Sequence, residues 1–241
     1  MPTWEIQLQG NGNDLAYLAE HLTSSPTVVR RAADEEGFVL QSDKFDECGT
    51  SAEVAAVAAE VAAALSGILK WDRNSEEPLR VGAVVETRPD GIRNRTMHPE
   101  TGRVEIKGIP AGLIQRDADG AVIPAPPPRF VAVVRLTHSD AAMEKVMRLW
   151  SRDSTSWVGL YRVFEVIRAD VGGERGIVRA GWASGARIDS FGHSANSVGV
   201  AGDEARHGVE RGAPPARPMT IEEARTFVHD LLDNWLGSKG V

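Results

Sequence analysis

Trp4, Ile6 and Leu8 alternate with Glu5, Gln7 and Gln9, the period of a strand with one buried face. Gly10-Asn11-Gly12-Asn13 then interrupts the alternation as a turn, and Asp14 to Leu22 predicts a short helix. Thr27 to Arg31 and Gly37 to Gln41 predict two further strands. Thr50 is followed three residues later by Glu53, the spacing of a capping box. Val54, Val57, Val61 and Leu65 continue at steps of three and four, and Gly67 reads as the stop. Val81 to Arg88 and Ile92 to Met97 flank Pro89-Asp90-Gly91 and predict a hairpin, and Arg103 to Lys107 alternates once more.

Pro124-Ala125-Pro126-Pro127-Pro128 suits neither helix interior nor central strand and reads as an extended linker. It divides the chain into residues 1–123, a linker at 124–128, and residues 129–241. Beyond it the period changes to that of helices. Ser139 can cap a helix from Asp140 to Arg152, with Met143, Val146, Met147 and Trp150 on one stripe. Ser154 to Val171 predicts a second helix with Trp157, Leu160, Tyr161, Phe164 and Ile167 inward, ended by Gly172-Gly173. Thr220 and Glu223 repeat the capping-box spacing before the stripe Ile221, Ala224, Val228, Leu231 and Trp235. The expected fold is α+β: an N-terminal α/β domain with a mostly antiparallel sheet, then an all-α helical bundle.

Composition adds a frame. With 42% hydrophobic and 25% charged residues over 241 positions, the chain has enough apolar material for a core, which excludes wholesale disorder. No apolar run is expected to approach the ~18 residues of a membrane span, and the start lacks the pattern of a secretory leader, so a cytoplasmic protein is expected. Cys48 is the single cysteine, which leaves no intramolecular disulfide and no cysteine-based zinc cluster. The net charge of −7 is unevenly spread: residues 1–128 hold 12 basic and 20 acidic side chains, whereas residues 129–241 hold 15 and 14. Residues 129–217 carry 13 basic groups against 10 acids, compatible with nucleic acid without requiring it.

The unusual chemistry lies in the second half. Ser194 to Gly208 is small, polar and glycine-rich, without helical or strand period until Asp203, and reads as a long loop. Arg206 and His207 in it combine a side chain that passes protons near neutrality with one that holds phosphate, a pair suited to cutting a phosphodiester without metal. In the plainer alternative, Arg206 pairs with Asp203 or Glu204, His207 caps a short helix, and Asn196, Asp203 and Glu204 only support the loop. Arg187 and His193 form a second candidate pair; on a helix, six positions do not quite share a face. Glu204 and His207 have the Glu-x-x-His spacing of di-iron bundles, but the motif occurs once, so no metal is expected. Gly10-Asn11-Gly12 lacks the third glycine of a dinucleotide loop, Ser184 lacks the flanks of a nucleophile elbow, and no cofactor is expected.

The order of these features, from the apolar helix around Trp157 to Ile167, through a polar stretch and Ala205-Arg206-His207-Gly208, to the capped helix from Thr220, resembles the HEPN superfamily (higher eukaryotes and prokaryotes nucleotide-binding). The resemblance covers roughly residues 139–239. It implies a bundle of four or five helices, often dimeric, of the kind found in bacterial defence and toxin proteins. Active members cut RNA without metal, using an arginine and a histidine with about four to six residues between them. Arg187 and His193 have that interval; His207 stands where the terminal histidine is expected, with Arg206 directly beside it. The resemblance implies RNA as a partner and a homodimer as the working form. Read without catalysis, the chain is instead a dimeric adaptor whose acidic N-terminal domain binds a protein.

Overall fold

The computed structural model describes residues 3–32, 37–97, 128–202, 205 and 217–241. The Arg103 to Lys107 strand expectation, most of the proline-rich linker, and the stretch holding Asp203, Glu204, Arg206 and His207 lie outside the described residues. Contacts divide the chain into two units, Met1–Ser139 and Asp140–Val241.

In the first unit β1 (Thr3–Gln9) occupies the middle of a five-stranded antiparallel sheet. It is followed by α1 (Gly12–His21), β2 (Thr27–Arg31), β3 (Phe38–Ser42), α2 (Ser51–Arg73), β4 (Arg80–Thr87) and β5 (Arg93–Thr96). The sheet order β2-β3-β1-β4-β5 makes the first six elements a split β-α-β arrangement of ferredoxin-like type, with β5 added as a hairpin strand. The predicted hairpin turn is made by Gly91 at φ 83° and by Asp90, whose side chain accepts from the Ile92 N–H at 3.0 Å.

Register settles the two faces. Ile6 lies opposite Leu40 and Val84, and Leu8 opposite Phe38, all buried. α2 packs along β1 and β4, and α1 along β2. Glu5 is on the opposite face yet only 9% exposed, because Arg30, Gln41 and Arg93 all engage its carboxylate. A buried carboxylate with that many donors is satisfied in place.

α2 corrects two sequence expectations. It begins with the predicted capping box at Thr50 and Glu53 but runs through Gly67 to Arg73, ending at Asn74 in the left-handed region, φ 55°. Ser66, Gly67, Ile68, Leu69 and Trp71 are all buried, so tertiary burial outweighs the weak helix propensity of one glycine. Ser66 donates to the Ala62 carbonyl and accepts from the Leu79 N–H at 2.8 Å, tying the helix to the residue that precedes β4. An 18-residue window of α2 has mean hydropathy 1.7, enough by length and composition for a membrane span, and 56% of that window is buried inside the protein. The expectation that nothing approaches a span overlooked that a few polar side chains barely lower the mean of so alanine- and valine-rich a stretch.

The boundary between the halves also moves. α3 (Arg129–Ser139) packs on α2 within the first unit. Phe130 sits 4.8 Å from the Tyr17 ring, Arg129 lies over Trp71, and His138 Nε2 shares a 2.7 Å hydrogen bond with Thr27. The compact units therefore divide after Ser139, not at the prolines, and Asp140 is the one non-helical residue between α3 and the next helix.

The second unit is all helical among its described residues: α4 (Ala141–Arg152), α5 (Trp157–Asp170), α6 (Glu174–Arg179), α7 (Gly185–Asn196), α8 (Val198–Ala201) and α9 (Ile221–Ser238). Asp140, rather than Ser139, caps α4 by accepting from the Met143 N–H at 3.0 Å. Ser156 caps α5, and Thr220 with Glu223 closes the predicted capping box of α9. α5 packs against α4, α7 and α9. The α+β layout expected from the sequence is the one found.

Candidate functional site

α7 carries the described candidates. Ser184 starts it by accepting from the Arg187 N–H, and Ile188, Phe191 and Ala195 form its buried stripe. Phe191 is packed among Tyr161, Phe164 and Phe227 at ring separations of 5.8, 5.3 and 5.2 Å. The end of the helix is pinned as well. Ser194 donates to the Ser190 carbonyl at 2.8 Å and accepts from the Met219 N–H at 2.9 Å, fastening α7 to the approach to α9.

The sequence expectation of a loop from Ser194 onward is corrected here. Ser194, Ala195 and Asn196 are the last turn of α7, and Val198–Ala201 is a further short helix. Ser194 and Ala195 are small and polar or neutral in composition, but both are buried; packing, not propensity, holds them helical. Asn196 donates to the Gly192 carbonyl at 2.7 Å, while its Oδ1 is buried with no hydrogen-bond partner among the described residues.

Arg187 and His193 both lie on α7, but six helical steps turn the chain by about 120° from a common face. The Arg187 guanidinium lies 5.6 Å over the Phe227 ring of α9, whereas His193 is exposed on another side of the helix. One copy of α7 therefore does not aim both side chains at one phosphate. Among the described residues no group of three or more His, Cys, Asp and Glu side chains could hold a metal ion.

Two features of this unit were not singled out from the sequence. The first is an ionic knot. Lys239, just after α9, bonds Asp140 at 2.6 Å and Asp170 at 3.0 Å, and its ammonium lies 4.7 Å from the Trp235 ring. Trp235 Nε1 donates to Asp170 at 2.8 Å. Burial alone would raise the Asp140 carboxyl, but bonds from Lys239 and from the Met143 N–H outweigh it and hold the group below the ordinary carboxylate range. Burial likewise works against charge on Lys239, and the two carboxylates outweigh it and raise the ammonium above its ordinary value. The position of Lys239 after the last turn of a capped helix was a partial signal; its partners, far away in the chain, had none.

The sign of the pH dependence follows from these directions. The depressed Asp140 carboxyl contributes stability above its unfolded value and loses it as pH falls through the lower folded value. The raised Lys239 contributes below its unfolded value and loses it as pH rises past the higher folded one. Lys239→Met, which leaves Asp140 and Asp170 without their shared cation, is expected to cost the second unit about 1–3 kcal/mol at neutral pH. Its loss of stability on acidification should also be shallower. Thermal unfolding from acid to alkaline pH checks both; an unchanged acid limb would contradict the assignment.

The second feature is a groove of about 810 Å³ between α4 and α5. Ala142, Leu149, Val166 and Ala169 line it, with the charged side chains of Lys145, Arg162, Glu165 and Asp170 around them.

Compared with models of protein families, with curated proteins and with solved structures, the chain matches none.

Proposed function

We propose that the helical second unit is an HEPN-like RNA-binding domain that cleaves RNA without a metal ion, in a cytoplasmic bacterial protein of defence or toxin type. The observation that carries this is on α7: an arginine and a histidine at the family's interval, the histidine exposed, on a helix fixed at both ends. Among the described residues, the central strands present Glu5, Gln7, Val39 and Gln41 on the sheet face turned away from α2, and none of these is an aromatic ring on which a base could stack.

In the reaction, His193 or His207 takes the proton of a ribose 2′-hydroxyl, and the 2′-oxygen attacks the adjacent phosphorus. Arg187 or Arg206 offsets the charge of the phosphorane, and the 5′-oxygen leaves with a proton, giving a 2′,3′-cyclic phosphate and a 5′-hydroxyl. Because Arg187 and His193 diverge on one helix, a working pair draws one member from a second copy or from the Arg206-His207 stretch.

The test is RNA cleavage in excess EDTA by the full chain beside Arg187→Ala/His193→Ala and Arg206→Ala/His207→Ala variants. Each variant that removes a working residue should lose about 10²-fold or more in rate, and both should do so if the pair draws one member from each stretch. Wild-type protein that neither binds nor cuts RNA would overturn the reading. The position of Arg187 over Phe227 favours a second reading, a non-catalytic dimeric adaptor whose acidic first unit binds a protein. Under it the α7 variant lowers the melting temperature and no activity is lost.

A further inference from the structure

We propose that the α4–α5 groove binds a small amphipathic anion, a carboxylate on a saturated hydrocarbon chain. Its floor is apolar and open to solvent: Leu149 and Val166 are half-buried, and Ala141 and Ala169 are exposed. The core of the unit is filled by other side chains of α5, Leu160, Val163, Phe164 and Ile167. A volume of about 810 Å³ suits a small molecule, whose sites are mostly apolar with a few charged groups that fix orientation. None of the side chains lining the groove is aromatic or carries a hydroxyl or an amide. Nothing there reads a base or a sugar, and the neutral part of the ligand is recognised by apolar area alone.

The charge free to meet a ligand is positive. Of the two acids on the rim, Asp170 is held by Lys239 and by Trp235 Nε1, and Glu165 is engaged as well. Lys145 and Arg162 are exposed and form no hydrogen bond or ion pair among the described residues. Arg162 acts on Asp153 only through space. The two cations stand on opposite walls, Lys145 on α4 and Arg162 on α5. Asp140, before α4, and Asp170, at the end of α5, share Lys239, so the two helices run antiparallel. A carboxylate between Lys145 and Arg162 gains charge-assisted bonds from both walls. Its chain then lies over Val166, Ala169 and Ala142 toward the ionic knot. From Leu149 back to Ala142 the groove covers about 10 Å of helix axis, the reach of a medium-length alkyl chain. The knot ties α4, α5 and the end of α9 together at that end, so the walls are held before any ligand arrives.

Equilibrium dialysis of the full chain against labelled decanoate, below its micelle concentration, is expected to show one saturable site with a dissociation constant of about 10 µM to 1 mM. In competition, octanoate should bind about four- to sixteenfold more weakly, at about two- to fourfold for each methylene lost. Decanol and decyltrimethylammonium share the chain but lack the negative charge, and should compete about tenfold more weakly or worse. Lys145→Gln/Arg162→Gln, at two exposed positions, should raise the decanoate constant by about tenfold or more. Val166→Glu, which sets a carboxylate in the floor, should do the same, and circular dichroism verifies that each variant is folded. No saturable binding up to about 1 mM overturns the proposal, and so does equal competition by the three head groups. Decanoate binding that both variants leave unchanged places the ligand elsewhere and overturns it too. The groove shares no residue with Arg187, His193, Arg206 or His207, so its failure leaves the RNA reading where it stands.

Discussion

Phe191→Ala is expected to lower the stability of the second unit by about 3–5 kcal/mol. Phe191 is fully buried and lies within 6.3 Å, centroid to centroid, of Trp157, Tyr161, Phe164 and Phe227, the Tyr161 ring nearly parallel at 13°. These rings come from α5, α7 and α9, so one truncation leaves a cavity where three helices meet. Rigid aromatic neighbours cannot collapse into such a space, which puts the cost toward the upper end of the usual range. Because the chain has two compact units, denaturant unfolding of the full protein should be followed by probes of each. A loss under about 1 kcal/mol would mean that α7 does not pack in this way. The substitution also removes the neighbour that sets the Phe227 ring beneath Arg187, so it should impair any role of Arg187 without touching that residue.

Gly159→Ala should cost about 2–3 kcal/mol, although alanine ordinarily favours a helix by about 1 kcal/mol over glycine. A Cβ at Gly159 would stand 2.1 Å from the Asp153 carbonyl oxygen and 2.4 Å from its Cγ. One obstacle is backbone, so the turn between α4 and α5 has to move. Asp153 organises that turn: it accepts from the N–H groups of Thr155 and Ser156 and from the Ser156 hydroxyl. Burial would raise this carboxyl, but the Ser156 and Thr155 bonds and the nearby Arg162 charge hold it below its ordinary range. Its contribution is therefore present above the unfolded carboxylate value and lost as pH falls through the lower folded one. Displacing it should lower thermal stability at neutral pH most and under strong acid least. A variant as stable as wild type would show that the turn yields freely.

Period and capping made most elements legible. Thr50 with Glu53 and Thr220 with Glu223 start helices where expected because a capping box is local, needing only residues three apart. Gly67 misled because what continues α2 is burial against β1 and β4, supplied by strands outside the helix's own stretch of sequence. The proline-rich stretch lies outside the described residues apart from Pro128, and α3 belongs with the first unit through Phe130, Arg129 and His138, whose partners no spacing reveals. Ser194 to Asn196 looked like loop since small residues carry no period, yet in a crowded site small side chains are what a buried helical turn requires. Of the candidate chemistry, the sequence supplied the α7 pair, and helix geometry alone foretold that its members diverge. The Lys239 knot joins residues far apart in the chain and was invisible to it.

The central place of β1 has a bearing on synthesis. Ile6 pairs on one side with Leu40 but on the other with Val84, so a nascent chain holds one edge of its first strand bare until β4 has emerged. Over the same interval α2 is already complete, with an apolar surface whose strand partner β4 does not yet exist. A chain released after Asn74 and before Leu79 would present an open strand edge and an uncovered apolar helix together, the combination that chaperones bind and that truncated products aggregate through.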